Sequence, residues 1–162
     1  MVRLRSAGWP SIVSSPSFSR LVSALAMREI GVAAQPVYMA RTATGKQGVE
    51  TPSGRFTTFH KRPAAHMAGG DGLSSFYDLV GVPYASFITD TAVAFHGTFW
   101  HNDFGKPRSF GCINLTPEDA RWVYRWSLPS VPPERDFLYE SGSGTEVLIG
   151  EDHPHLLHLR KL

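Results

Sequence analysis

The chain has 162 residues, of which 42% are hydrophobic and 19% charged, with a net charge of +2. Those values suit one soluble globular domain and exclude a disordered chain. Lys and Arg are too few in excess and too scattered to form a stripe for nucleic acid, and no apolar run is long enough to span a bilayer. Twelve prolines and fifteen glycines call for many short elements joined by turns, so the expected fold is mainly β. A single cysteine rules out an internal disulfide framework and any multi-cysteine zinc site.

The first 36 residues admit several readings. Arg3 and Arg5 precede a weakly apolar region, as in a secretory leader, but Arg20 and several serines and prolines interrupt it, so the signal peptide is not convincing. The same region reads as an amphipathic helix, with Phe18, Leu21, Val22 and Leu25 on one face, Ser17 as cap and Gly31 as stop. A truncated or atypical start is the third reading.

Further on, Pro36–Arg41 predicts a strand, and the run from Thr44 to Gly54 (TGKQGVETPSG) a turn. It is not a phosphate loop, because Ala40 stands where a glycine is required and Gln47 where a hydroxyl would hold magnesium. Arg55–Lys61 alternates as a second strand. The glycine-rich stretch from Ala64 to Ser75 predicts a mobile surface loop, either a simple connector or part of a lid. Gly81-Val82-Pro83 demands a bend, and Ala92–Phe95 predicts a short buried strand that delivers His96 at its end.

Thr116-Pro117-Glu118-Asp119 is a strong helix start: a capping hydroxyl, a proline suited to the first helical position, and two acids at the positive end of the dipole. Pro129, Pro132 and Pro133 forbid its continuation. Thr145–Ile149 predicts a last strand. The tail carries His153, His155 and His158, a spacing that suits a metal only on a fixed scaffold.

Chemistry concentrates between Phe95 and Trp126. Cys112 needs a neighbour to take its proton and backbone N–H groups aimed at the oxyanion that forms on an attacked carbonyl. His96, sixteen residues earlier, is the candidate base. Phe110 and Gly111 are the candidate backbone donors beside Cys112, Gly111 permitting the tight turn. Spacing alone leaves open that the cysteine merely packs.

The run HGTFWHNDFGKPRSFGCIN resembles the signature of the L,D-transpeptidase (YkuD-type) catalytic domain family: a His, an intervening stretch, Ser or Thr, a variable position that is often His, then Gly, Cys, an aliphatic residue and Asn or Arg. His96, Ser109, Gly111, Cys112, Ile113 and Asn114 fall on patterned positions. The similarity extends back to TGKQGVETPSGRF and forward to GTEVLI, covering Val37 to Ile149. It implies an N-terminal segment (1–36), a catalytic domain (37–150) and a tail (151–162). The implied fold is a β-sandwich or barrel-like sheet with one or two short helices. Two features depart from the family: Phe110 stands where His is frequent, and the hairpin that normally opens the domain is not recognisable before Pro36.

The resemblance implies a transpeptidase acting on peptidoglycan stem peptides, with Cys112 as nucleophile and His96 as base and then acid. An amine acceptor would give a cross-link, water an L,D-carboxypeptidase; a catalytically weak peptidoglycan-binding module is the alternative of another class. Carbapenem-type inhibitors are expected to acylate Cys112. No cofactor, metal or nucleic-acid partner is implied, a monomer is expected, and the substrate places the protein outside the cytoplasmic membrane. Supporting or substrate-binding roles fall to Gly97, Ser109, Asn114, Trp100 and Tyr84, and His101 is a possible second base.

Overall fold

The structure, a computed structural model, describes residues 24–28, 38–70, 76–150 and 156–160. In chain order the strands are β1 (Ala24–Arg28), β2 (Tyr38–Arg41), β3 (Gly54–Thr57), β4 (His60–Gly70), β5 (Phe76–Phe87), β6 (Ala94–Gly97) and β7 (Ile113–Leu115). Helix α1 (Pro117–Trp126) follows, then β8 (Leu138–Tyr139), β9 (Glu146–Ile149) and β10 (Leu156–Arg160). They form two five-stranded sheets, β2-β1-β10-β9-β3 and β7-β6-β5-β4-β8. The mainly β architecture expected from composition holds, with one helix among the described residues. That helix is not long and apolar enough to cross a membrane.

One core serves both sheets and the helix. Val147 and Ile149 alternate inward from β9, Phe95, Ile113 and Leu115 enter from β6 and β7, and Ala120 and Val123 come from α1. Strand β6 is buried along its whole length because β5 and β7 flank it on either edge and α1 packs on it. The buried strand is shifted from the expected Ala92–Phe95: Ala92 is exposed in the preceding turn, and His96 lies within the strand and not after it.

The helix starts as its sequence dictates. Thr116 Oγ1 accepts from the Asp119 N–H at 3.1 Å, and Pro117 occupies the first turn. Its far end depends on a residue distant in sequence. Lys61, with no exposed surface, donates from Nζ to the carbonyls of Tyr124 (2.5 Å) and Ser127 (2.7 Å). The buried ammonium thus satisfies carbonyls that the last helical turn leaves open.

Several expectations are corrected. Ala24–Arg28 is a strand, not part of a helix ending at Gly31, and it pairs antiparallel with β2. The opening hairpin that could not be recognised before Pro36 is therefore present; the rest of the first 36 residues lies outside the described set. Residues of the tail are also structural, since β10 pairs with both β1 and β9. His153 and His155 lie outside the described residues. Arg55–Lys61 is not one strand: β3 ends at Thr57 in one sheet and β4 begins at His60 in the other. The switch occurs at Thr58, whose buried hydroxyl accepts from the Thr145 N–H at 2.9 Å, and a Cβ on Gly144 would lie 1.6 Å from the Thr58 carbonyl oxygen.

The supposed loop from Ala64 is also strand. Residues to Gly70 continue β4 and pair with β5 as a long antiparallel hairpin, with an irregularity between Ala65 and Met67. Of that stretch, residues 71–75 lie outside the described residues. The bend demanded by Gly81-Val82-Pro83 lies within β5, where Gly81 (φ 74°) and Tyr84 (φ 58°) take left-handed backbone angles. Small residues and glycines in β4 obscured its strand character, because the hairpin is set by pairing and not by side-chain propensity.

Candidate active site

Parallel strands β6 and β7 place His96 opposite Asn114, so Cys112, two residues before Asn114, arrives beside the same strand end. His96, Cys112, Trp100, His101, Ser109, Phe110 and Asn114 line one pocket of about 310 Å³, and Met67, Tyr77 and Leu79 wall it from the β4–β5 hairpin. The hairpin alternates there: Tyr77 and Leu79 are half-buried, whereas Phe76, Asp78 and Val80 face outward.

The loop preceding Cys112 is tied down by its own hydroxyl. Ser109 Oγ donates to the Cys112 carbonyl (2.5 Å) and accepts from the Gly111 N–H (3.2 Å). Below it lies the turn 44–54. Ser109 and Arg108 N–H groups both reach the Thr44 carbonyl (2.9 and 2.7 Å), and the Thr51 hydroxyl donates to the Gly111 carbonyl at 2.9 Å. Gly45 is required in that turn, since a Cβ would sit 2.2 Å from the Val49 carbonyl oxygen. Gly111 itself adopts φ 107°, open only to glycine without strain.

Cys112 is partly buried and free, and its thiol contacts the Ala92 carbonyl at 3.7 Å. Ala92 holds a left-handed φ of 67° in a turn closed by Ile88 N–H to Val93 O (2.9 Å) and Val93 N–H to Thr89 Oγ1 (3.0 Å). Burial pushes the thiol pKa up, and the Ala94 N–H partly offsets that.

His96 is buried, with Nδ1 3.2 Å from the Gly97 carbonyl oxygen and 3.4 Å from Thr98 Oγ1. A carbonyl only accepts, so Nδ1 carries the proton and Nε2 is the basic nitrogen. Burial lowers the His96 pKa to about 4; the Gly97 contact opposes the shift and His101 adds to it. The resting pair is thus neutral thiol and neutral imidazole. Trp100 stacks on the His96 ring at 5.8 Å and 25°. Gly97 has a steric reason as well: a Cβ there would meet Pro83 Cγ at 2.8 Å and Pro117 Cα at 3.0 Å.

Other sequence-derived candidates divide. Phe110 is at the pocket, its ring 5.2 Å from Tyr77 and 3.9 Å from Lys46 Nζ. Gly111 is present, but its N–H points to Ser109 Oγ and not into the pocket. Asn114 is buried, and its carboxamide meets His101 Nε2 at 2.9 Å. Tyr84 is placed elsewhere: it packs on the core and lies 5.7 Å from the Tyr124 ring, on the side of α1, and does not line this pocket. Left-handed Tyr84 turns away because β5 bends at that point. The hairpin residues Met67, Tyr77 and Leu79, and Lys46 from the turn, escaped sequence reasoning. Their contribution depends on pairing and loop placement, which no local pattern encodes. Among the described residues, no group of three His, Cys, Asp or Glu side chains is placed to hold a metal ion.

Comparison with known proteins places these features in a family. The family model of the L,D-transpeptidase catalytic domain matches residues 25–149. Among solved structures, LdtMt1 in complex with imipenem is 26% identical with a TM-score of 0.53, the match covering 63% of this chain and 53% of that one. An L,D-transpeptidase from Mycobacterium smegmatis is 21% identical with a TM-score of 0.55, covering 86% and 59%. The Ldtfm–avibactam carbamoyl enzyme is 23% identical with a TM-score of 0.54, covering 68% and 46%. The match thus spans about half the length of these solved chains. A search of the curated proteins finds no significant match. With the family model covering most of its length, the chain belongs to the L,D-transpeptidase catalytic domain family.

Proposed function

We propose that the protein is an L,D-transpeptidase that acts on peptidoglycan stem peptides through a thioester on Cys112. The observation that carries this reading is the convergence of Cys112 and His96 in one pocket, with His96 Nδ1 held by the Gly97 carbonyl so that Nε2 is free to take a proton.

In the first half-reaction Cys112 Sγ attacks the carbonyl carbon of the donor peptide bond before the terminal D-alanine, and its proton passes to His96 Nε2. The carbonyl electrons move to oxygen, where the N–H groups of Phe110 and Cys112 serve as donors; Gly111 joins them only if Ser109 releases its N–H. The C–N bond then breaks, His96 returns the proton to the leaving amine, and a thioester remains. An amine of a second stem, or water, attacks the thioester and completes a transfer or a hydrolysis. The amine makes a cross-link; water makes the protein an L,D-carboxypeptidase.

The pocket suits such a donor. Trp100, Tyr77 and Leu79 give it an apolar wall, while Lys46 and Arg108, the latter paired with Asp103 at 3.2 Å, line it with no Asp or Glu among the described lining residues. That balance favours an anionic peptide. Action on this substrate would put the protein outside the cytoplasmic membrane. Solved relatives carrying imipenem or an avibactam-derived carbamoyl group support a β-lactam-type probe.

Intact-protein mass spectrometry after incubation with a carbapenem tests the reading. One adduct is expected on the wild type and none on Cys112→Ala. Absence of an adduct on folded wild-type protein would point to the catalytically silent peptidoglycan-binding module, the alternative that Phe110 keeps open.

A further inference from the structure

Lys46 is carried by the turn 44–54 but is fastened to the catalytic loop. Its N–H donates to the Ser109 carbonyl at 2.9 Å, and its carbonyl accepts from the Val49 N–H at 3.0 Å. Ser109 in turn donates from Oγ to the Cys112 carbonyl. The backbone of Lys46 therefore keeps a fixed relation to Cys112, and its exposed side chain joins Cys112 and His96 in lining one pocket. The ammonium lies 3.9 Å from the centre of the Phe110 ring, which packs on Tyr77 at 5.2 Å. The ring face attracts the cation but leaves its N–H donors available.

That charge has no counterion. Among the described residues no carboxylate pairs with Lys46: Asp103 pairs with Arg108 at 3.2 Å, Asp78 pairs with His66, and the Glu50 carboxylate accepts from the Gly48 N–H at 2.8 Å. None of the pocket-lining residues is an acid. Lys46 thus differs from Arg108, the other cation of the pocket, whose guanidinium is already matched. The nearby wall of Met67, Leu79 and Trp100 is apolar, so an ion pair formed there meets less competition from water than one on an open surface.

We propose that Lys46, held over the ring of Phe110, is a specificity residue that binds a free carboxylate of the acyl donor, so that the enzyme distinguishes a stem bearing that carboxylate from its carboxamide. The assignment rests on the acyl-transfer reading of Cys112 given above. Two carboxylates of a stem offer the same chemistry, the terminal one of the leaving D-alanine and one on a side chain. It also gives a role to Phe110, the residue of the catalytic loop that departs from the family's pattern: its ring holds the ammonium at the pocket.

Kinetics on the full chain test it. kcat/KM for release of the terminal residue is measured on three synthetic tetrapeptide donors: one with all carboxylates free, one amidated only at the C-terminus, and one amidated only on its side chains. The wild type is expected to favour the free donor over one of the amidated donors by about tenfold, the scale of one charge-assisted hydrogen bond, and the donor that loses rate identifies the carboxylate. Lys46→Met is expected to bring that ratio close to one. Lys46→Arg, which keeps the charge, and Arg108→Gln are both expected to retain it. Each ratio is taken within one variant, so a smaller folded fraction cancels. No preference in the wild type overturns the inference, as does a preference that survives Lys46→Met, is lost equally in Lys46→Arg, or disappears in Arg108→Gln; turnover of the donors then leaves the transpeptidase reading standing. A folded wild type that neither turns over these donors nor forms a carbapenem adduct removes both.

Discussion

His96 Nδ1 lies 3.2 Å from the carbonyl oxygen of Gly97, the residue that follows it in the chain. The base is therefore oriented by its own backbone, and no carboxylate among the described residues contacts its ring. This explains how a buried histidine stays neutral, and it makes proton transfer coincide with attack instead of preceding it.

A pH profile follows from that arrangement. His96 is the active base when neutral, and burial holds its pKa at about 4 against an ordinary 6.5. The acid limb of the acylation rate is expected near pH 4, and a limb at the ordinary histidine value would contradict the geometry. Stability shares the sign. The unfolded chain takes up the proton first, so stability attributable to His96 is full above pH 6.5 and declines as the pH falls toward about 4. Thermal melts across that window measure it.

Gly97→Ala is expected to destabilise the protein by about 1–3 kcal/mol through overpacking. The added methyl would press on Pro83 of β5 and on Pro117 at the start of α1, both held by their own elements. Urea unfolding reads the loss; a change within experimental error would show that β5 and the helix can separate freely.

Lys61→Met removes the cation that caps α1 while keeping most of the buried volume. The carbonyls of Tyr124 and Ser127 lose their charge-assisted partner in a buried setting. A loss of about 3 kcal/mol is expected by denaturant titration. A neutral outcome would mean that other donors reach these carbonyls.

Phe110→Ala should uncouple the hairpin from the catalytic loop. The ring contacts Tyr77 of β5 and Lys46 of the turn 44–54, joining three segments that line the pocket. The contacts sum to about 1–2 kcal/mol, so the fold should survive. Hydrogen exchange should quicken along β4 and β5 near Met67 and Tyr77, and unchanged exchange would leave Phe110 as a surface residue only. The position where an imidazole was expected is thus occupied by a side chain with a mechanical contact of its own.

Local chemistry made part of this legible in the sequence. Thr116 and Pro117 start a helix because a capping hydroxyl and a fixed φ act within one turn, and Ala94 and Phe95 are buried as their apolar side chains require. The Ser109–Cys112 run and His96 could be singled out because their residue types match a known chemical pattern. What lay beyond reach was decided by pairing across long separations. Nothing near Lys61 in the chain announces that it caps a helix ending more than sixty residues later, and the glycines of β4 conceal a strand that exists because β5 pairs with it. Tyr84 left the site because β5 bends, and Tyr77 entered it because the hairpin folds over the pocket. The sequence determined which groups can react. Only the tertiary structure decided which nitrogen of His96 is basic and that Cys112 shares its pocket, because both depend on a geometry that exists only once β6, β7 and the loop between them are assembled.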